Sequence, residues 1–286
     1  MKRFYVITNS LKDPSLQVAK QIQSYLRMKG RECLIQEPVS GEEIRSYKYT
    51  DPSRVPDEVD CVLVLGGDGT VLQASRDLVD RKIPLFGINM GTLGYLAETD
   101  RDGLEEALDK LVLDEYVLEE RMLLEGAAYH LNKKLLSDVA LNDIVIARSG
   151  RIRVMNFHIY VNDRLLYSYS ADGIIVSTPT GSTGYSLSVG GPIVEPSASL
   201  IMITPIAAHT LTSRSVILSE NARIRVEIGQ RNSAQEEAEA TFDGDTTVKL
   251  NTNDYIEICK SDRTVRFVKT DQISFLEILR RKMSDT

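Results

Sequence analysis

Apolar residues in the first hundred or so positions repeat with two different spacings. Short apolar runs of strand length alternate with longer segments in which apolar residues recur every three or four positions. The runs of strand length are residues 4–8, 31–35, 61–65 and 83–89. The segments with helical spacing are residues 14–29, residues 70–80 and a stretch that begins near Asp102. Strand and helix in turn predict parallel crossovers and a Rossmann-like, doubly wound α/β domain.

Start and stop signals support the first of these helices. Asp13 can cap its N-terminus, Pro14 suits its first turn and Gly30 suits its end. Residues 37–58, in contrast, are rich in charge, tyrosine and proline and show no clear period. We expect a weakly ordered loop in that stretch.

The pattern changes near Glu120, where helical spacing gives way to short β-rich runs. These runs are residues 135–148, 151–161, 165–169, 174–177, 216–218, 223–228, 248–250, 255–259 and 265–268. Asn162 and Asp163 separate two of the runs and are typical of a hairpin turn. The sequence therefore predicts a second, antiparallel β-sandwich-like domain. We assign residues 1–119 to the α/β domain and residues 120–270 to the β-rich domain. The last segment, residues 271–286, contains the sequence ISFLEILRRKM, whose apolar residues are spaced for an amphipathic helix.

Charge argues against two classes of partner. The chain has 34 basic and 41 acidic residues and a net charge of −7, so it has no overall positive field to recruit nucleic acid or anionic lipid. The apolar run near the N-terminus covers only residues 4–7, whereas the core of a signal peptide needs roughly seven to fifteen apolar residues. No window approaches the roughly 18 apolar residues of a membrane span. We expect neither nucleic acid nor membrane as a partner.

Cysteine and histidine positions bear on compartment and metal. The cysteines stand far apart, at Cys33, Cys61 and Cys259, and Cys61 lies in an apolar run where a buried, reduced thiol is expected. This arrangement favours a reducing cytoplasm. The histidines, at positions 130, 158 and 209, have no metal-ligand spacing, so we expect no dedicated zinc site.

The sequence GGDGT follows the buried strand at residues 61–65. It places Gly66, Gly67 and Gly69 at the start of a helix, where backbone N–H groups and the helix dipole favour an anion such as phosphate. Asp68 within this loop would repel an anion unless it engages a proton or a metal ion, which suggests a hydroxyl to be activated or magnesium to be held. A tight turn capped by Asp68 or Thr70 is the structural alternative. The loop alone does not decide between them.

A long polar segment, ADGIIVSTPTGSTGYSLSVGGP, spans residues 171–192. Hydroxyl side chains and glycines dominate it, which suits a loop folded closely around a ligand rich in ribose and phosphate oxygens. A flexible linker is the alternative, but linkers do not usually contain residues such as Ile174, Pro179 and Tyr185. Composition favours ligand binding.

Two further pairs carry candidate chemistry. Asn142 and Asp143 stand side by side before an apolar run, and an adjacent amide and carboxylate can grip a vicinal diol. A turn leading into a strand is the alternative, and by itself the pair favours it. Asp243 and Asp245 flank a glycine between two β-like runs; they could approach an active site, but the pattern is first of all a hairpin signal.

GGDGT in this setting resembles the signature of NAD kinases, diacylglycerol and sphingosine kinases and, more distantly, phosphofructokinases. The segment at residues 171–192 is very similar to the glycine-rich second motif of NAD kinases, and the similarity continues through the NMGTLGYLAE loop at residues 89–98. The resemblance implies phosphorylation of the adenosine-ribose 2′-hydroxyl of NAD. It also implies ATP as donor, with polyphosphate as another possibility, a divalent ion such as Mg²⁺ with the nucleotide, a homodimer or homotetramer, and a terminal helix that returns to the first domain.

The resemblance also implies roles for individual residues. It makes Asp68 the catalytic base. The residues implied to hold phosphates are Gly66, Gly67, Gly69 and Thr70; those implied to contact NAD or line its pockets are Asn89, Tyr95, Asn142, Asp143, Thr180, Thr183, Gly184, Tyr185 and Ser188. Asp172 is expected near the nicotinamide end. Two departures are visible: many members have alanine at the position of Gly184, and Asp143 is shorter than the glutamate that some members carry.

Two other functions compete with an NAD kinase. A lipid kinase would share GGDGT but needs an apolar entry surface, whereas residues 180–188 are strongly polar. A catalytically silent NAD-binding sensor would keep the polar segment, and Asp68 argues against it only weakly, because a capping carboxylate looks the same in sequence.

Overall fold

The computed structural model describes residues 1–9, 12–36, 50–91, 94–150, 154–209, 214–230, 235–270 and 274–284. The chain divides into a first unit, Met1–Glu120 with Thr264–Thr286, and a second unit, Arg121–Arg263. Within the described ranges the α-helices are α1 (Gln17–Met28), α2 (Asp68–Asp77), α3 (Leu104–Val112), α4 (Tyr185–Ser188) and α5 (Phe275–Ser284). None of the helices in those ranges is long and apolar enough to cross a membrane.

The strands follow the chain in the order β1 to β16. They are β1 (Arg3–Thr8), β2 (Glu32–Ile35), β3 (Cys61–Gly66), β4 (Leu85–Asn89), β5 (Val117–His130), β6 (Lys133–Ala140), β7 (Asp143–Arg148), β8 (Met155–Val161), β9 (Arg164–Ala171), β10 (Gly173–Ser177), β11 (Leu200–Ile206), β12 (Val216–Ser219), β13 (Ile224–Gly229), β14 (Glu237–Phe242), β15 (Thr246–Asn251) and β16 (Tyr255–Lys269).

The first unit is a parallel α/β layer structure, as predicted. Its strands have the order β2-β1-β3-β4, all parallel, and Phe267 near the end of β16 pairs in parallel with Leu85 of β4. Every residue of β3 is buried, because helices cover a parallel sheet on its faces. Helix α1 buries Ile22 and Leu26 in this core, and α5 belongs to the same unit with Ile278 buried.

Helix α1 starts later than the sequence indicates. Ser15 and Leu16 have left-handed backbone conformations, with φ of 65° and 55°, so the α-helix begins at Gln17 rather than at Pro14. Asp13 still acts as a cap, because its carboxylate accepts the N–H groups of Val18 and Ala19 at 3.0 Å each. The capping prediction is confirmed, and the predicted start is wrong by three residues.

The second unit is a β-sandwich of two antiparallel sheets, which confirms the predicted fold class. One sheet has the order β16-β13-β8-β9, and the other has β12-β11-β10-β7-β14-β15. Side chains of both sheets, such as Ile146 and Phe157, share one continuous apolar core. Asn162 and Asp163 form the predicted hairpin turn, both with the positive φ that such a turn needs.

Strand boundaries in the second unit differ from the sequence prediction. The run at residues 135–148 is two strands, β6 and β7, because the chain turns at residues 141–142. The runs at residues 255–259 and 265–268 belong to the single strand β16, and β5, β11 and β14 were not predicted. Of the predicted loop at residues 37–58, residues 37–49 lie outside the described ranges, as do residues 151–153 of the predicted strand 151–161.

Candidate active site

In the first unit, GGDGT joins the carboxyl end of β3 to the first turn of α2. The helix begins at Asp68, two residues before the predicted start, so this carboxylate lies in its first turn. Gly69 is exposed, and the N–H groups of Asp68 and Gly69 precede the first hydrogen bond of the helix, in which Thr70 N donates to the Gly67 carbonyl at 2.9 Å. Thr70, in contrast to Gly69, is buried, and its side chain packs on Gly66. A Cβ atom on Gly66 would lie under 3.0 Å from the Thr70 side chain. The loop therefore presents N–H groups and Asp68, while the Thr70 side chain supports it.

Backbone N–H groups of a second loop hold the Asp68 carboxylate. Tyr95 N donates to Oδ2 at 2.7 Å, and Leu96 N donates to Oδ1 at 3.0 Å. Gly94 lies so close that a Cβ atom on it would overlap the carboxylate. Each carboxylate oxygen keeps further acceptor capacity, because it can accept two hydrogen bonds. Asp68 is thus fixed in position and still able to accept a further hydrogen bond.

The remaining predicted residues of the first unit are structural neighbours of this loop. Asn89 ends β4 and is buried; its Nδ2 donates to the Gly91 carbonyl at 2.7 Å, and its Oδ1 accepts from Gly91 N at 3.2 Å. The ring centroid of Tyr95 lies 6.1 Å from that of Phe275 in α5, and Lys282 Nζ lies 5.1 Å from the Tyr95 centroid. Burial, and then the Asp68 charge, raise the pKa of Tyr95. Thr92 and Leu93 of this loop lie outside the described residues.

Asn142 and Asp143 occupy the turn between β6 and β7 in the second unit. The Asp243 carboxylate accepts three consecutive N–H groups there, from Leu141 at 2.7 Å, Asn142 at 2.8 Å and Asp143 at 3.0 Å. The predicted hairpin at residues 243–245 is present, since Phe242 pairs with Thr246. The sequence pattern identified that hairpin but did not reveal that Asp243 supports a candidate site.

The polar segment packs directly on this turn. Thr178 N donates to the Asn142 carbonyl at 2.9 Å, and a Cβ atom on Gly181 would overlap that carbonyl group. The Asn142 amide nitrogen and the Asp143 Oδ2 atom each lie 3.6 Å from the Cβ position of Gly184. The structure therefore brings the amide, the carboxyl group and Gly184 together. An alanine at position 184 would make one tight contact, 3.3 Å from the Gly181 carbonyl.

Electrostatics distinguish Asp143 from an exposed carboxylate. Burial raises the pKa of Asp143 to about 7, and the Asp243 charge adds to this effect. Asp143 is 6% exposed, so desolvation disfavours its charged form. A carboxyl group that is partly protonated near neutral pH can both donate and accept a hydrogen bond, which suits contact with a hydroxyl-bearing ligand.

The other predicted residues of the second unit differ in their exposure. Thr180 is buried and accepts from Arg121 Nη1 at 3.2 Å, and Thr183 Oγ1 donates to the Thr180 carbonyl at 3.2 Å. Tyr185 and Ser188 are exposed. Arg121, itself 6% exposed, is a further candidate that sequence reasoning missed, because an isolated arginine in a strand-like run gives no signal.

Asp172 lies away from the Asn142–Asp143 turn. In the β7–β10 pairing, Ser177 is opposite Asp143 and Gly173 is opposite Ala147. Four residues of strand separate these two ends, or about 13 Å. Asp172 also forms an ion pair with Arg148, in which Arg148 Nε lies 3.1 Å from Asp172 Oδ1. The structure does not place Asp172 with the other predicted residues: it lies just before β10, beside the end of β7 that is remote from Asp143.

The described side chains form no protein metal centre. Within the described ranges, no three His, Cys, Asp or Glu side chains lie together as such a centre would require. Mg²⁺ usually keeps several waters and binds through one or two carboxylates and substrate phosphates.

Comparison with known proteins identifies the family. A family model described as the ATP-NAD kinase N-terminal domain matches residues 4–116, and the corresponding C-terminal domain model matches residues 141–270. An NAD kinase from Lachnospira eligens is 46% identical over 99% of this chain and 100% of its own length. This chain belongs to the NAD kinase family. An NAD kinase from Agathobacter rectalis is 43% identical over 100% of this chain and 99% of the relative.

Solved structures of NAD kinases agree with the fold. An NAD kinase from Archaeoglobus fulgidus, solved in complex with ATP, has a TM-score of 0.73 and 25% identity, covering 99% of this chain and 97% of that chain. Yeast NADH kinase, solved with NADH, has a TM-score of 0.85 and 24% identity, and the match covers 99% of this chain and 88% of the yeast chain. This likeness concerns the fold. Family membership and the enzyme class favour the NAD kinase prediction over the lipid kinase and the silent sensor.

Proposed function

We propose that this enzyme transfers the terminal phosphoryl group of ATP to the adenosine-ribose 2′-hydroxyl of NAD and releases NADP and ADP. The observation that carries the residue-level proposal is the Asp68 carboxylate, fixed in the first turn of α2 by two backbone N–H groups. Full-length similarity to NAD kinases supports the choice of substrate.

Asp68 acts as the base in this proposal. The 2′-oxygen forms a bond to the γ-phosphorus as the bond from that phosphorus to the β-bridging oxygen breaks. ADP leaves with the electron pair, and Asp68 takes the hydroxyl proton late in the step. The N–H groups of Gly67 and Gly69 hold phosphate oxygens, whereas Thr70 acts through Gly66 as a packing residue.

The second unit binds NAD along β10. Asn142 and Asp143 hold the adenosine ribose, with Thr183, Tyr185 and Ser188 beside the adenosine, and Asp172 lies near the nicotinamide. The roughly 13 Å of strand between the two acidic residues supports this assignment, because a dinucleotide needs two recognition points well apart. Asn89 and Tyr95 belong to the loop at residues 89–98, which lines the adenine pocket in this proposal. Asn89 acts by shaping that loop, since its side chain bonds to Gly91.

Cofactor, location and assembly complete the proposal. Mg²⁺ arrives with ATP and offsets phosphate charge, and polyphosphate is a second donor to test. We also propose that the enzyme is cytoplasmic and forms a homodimer or homotetramer, as the family resemblance suggests. Light scattering on the purified protein would measure its assembly.

The first experiment measures NADP formation from NAD, ATP and Mg²⁺ by the wild type and by Asp68→Asn. We expect turnover in the variant to fall at least ~100-fold, the scale for loss of a general base. Because an asparagine NH₂ would face one of the loop N–H groups, NAD and ATP affinities and the thermal midpoint must be measured beside turnover. Near-normal turnover would exclude the base role. Diacylglycerol and sphingosine serve as parallel acceptors, and phosphorylation of either in place of NAD would contradict the proposal.

A further inference from the structure

Lys12 lies in the turn that follows β1, next to the GGDGT loop. Strand β1 pairs in parallel with β3, so their carboxyl ends share one edge of the sheet. Asn9 N donates to the Leu65 carbonyl at 3.2 Å, and the Asn9 carbonyl accepts from Lys12 N at 2.9 Å. These bonds connect the backbone at Lys12 to the end of β3.

The Lys12 side chain reaches over the glycines at this edge. Its Nζ atom lies 2.8 Å from the position that a Cβ atom on Gly67 would take, and 4.0 Å from the corresponding position on Gly91. Gly67 immediately precedes α2, so the ammonium group lies beside the N-terminal end of that helix. A Cβ atom at position 67 would force the end of the Lys12 side chain to move.

The ammonium group of Lys12 forms no ion pair with any residue of the described ranges, since no carboxylate there lies within ion-pair distance of its Nζ atom. The nearest carboxylate in sequence, Asp13, is turned away and accepts from Val18 and Ala19. Lys12 is also exposed, so a ligand can reach it. A positive charge and free helix N–H groups therefore face the same place, and both favour a phosphate.

We propose that Lys12 binds the terminal phosphates of the donor nucleotide at the GGDGT loop. The inference rests on the proposed function and adds a donor-specific residue to it. As the bond to the β-bridging oxygen breaks, negative charge grows on ADP, and a fixed ammonium stabilises that charge without taking part in proton transfer. Substitution of Lys12 should therefore weaken ATP binding and leave NAD binding unchanged.

The test compares Lys12→Met, which keeps length without charge, with Lys12→Arg, which keeps charge. Lys20→Met is the matched control, because Lys20 is an exposed lysine of the same unit that donates to the Ser15 carbonyl. Each variant is titrated with MgATP in the absence of NAD, by calorimetry, and KM and kcat are measured for ATP and NAD. Circular dichroism checks folding, which should be unchanged because Lys12 is exposed.

We expect Lys12→Met to weaken MgATP binding about tenfold and to raise KM for ATP by a similar factor, as loss of one charge-assisted contact predicts. Lys12→Arg should retain most of the affinity, and Lys20→Met should match the wild type. Unchanged ATP affinity in Lys12→Met, or a change confined to NAD, would overturn the assignment, as would a wild type that does not bind MgATP. If Lys12→Met weakens MgATP binding but the wild type makes no NADP, the Lys12 assignment stands and the proposed reaction fails.

Discussion

Replacing Asp143 by asparagine should change how the stability of the protein depends on pH. Burial, together with the Asp243 charge, raises the pKa of Asp143 to about 7. Asparagine keeps nearly the same shape but cannot ionise. The substitution therefore removes one titration from the folded core while leaving the surrounding groups in place.

The sign follows from proton binding in the two states. Between about pH 4 and pH 7 the folded protein keeps a proton on Asp143 that the unfolded chain has released, so stability falls as pH rises through this window. The pKa of about 7, compared with an ordinary value near 3.9, corresponds to roughly 4 kcal/mol in total. Of this total, roughly 2.5 kcal/mol of the free energy of unfolding is lost between pH 5 and pH 8.

Urea denaturation at pH 5, 6, 7 and 8, followed by circular dichroism, measures this effect. The free energy of unfolding of the wild type should fall by roughly 2.5 kcal/mol more than that of Asp143→Asn over this range. Asp102→Asn, which changes an exposed carboxylate, should behave like the wild type. If the wild type and Asp143→Asn show parallel pH dependence, the raised pKa of Asp143 is refuted.

Two further predictions concern the supports of the candidate site. Asp243→Asn replaces one of two acceptor oxygens that serve three N–H groups, so it should lower the free energy of unfolding by about 1–3 kcal/mol and weaken NAD binding in calorimetry. Unchanged stability and NAD affinity would show that the turn at residues 141–143 holds its shape without this carboxylate. Gly94→Ala introduces a Cβ atom that overlaps the Asp68 carboxylate, so NADP formation should fall about 100-fold through misplacement of that group. Normal turnover in Gly94→Ala would mean that the loop at residues 94–96 can move away without displacing Asp68.

Local patterns in the sequence were sufficient where neighbouring residues decide the structure. The continuous apolar run of β3, followed by glycines and a helix, predicted the loop that carries Asp68. The Asn162–Asp163 turn followed from residues that tolerate positive φ. In both cases the controlling interactions lie within a few residues, and the sequence displays them directly.

Local patterns failed where a distant group changes the backbone. The run at residues 135–148 looks like one strand, but the N–H groups of Leu141 and Asn142 donate to Asp243, about a hundred residues further along the chain. That interaction ends β6 and turns the chain. The start of α1 was misplaced for a related reason, because the Asp13 carboxylate reaches forward to Val18 and Ala19 across two residues with positive φ.

The sequence by itself determined the strand and helix periods, the α/β and β-sandwich classes, and the motifs that mark an NAD kinase. The tertiary structure alone decided that Asp68 is held by Tyr95 and Leu96, that Asp243 supports Asn142 and Asp143, and that Lys12 lies over Gly67. The physical reason is that residue type fixes backbone preference and burial over a few positions. Contacts between residues far apart in the chain depend instead on sheet order and register, which form only when the whole unit folds.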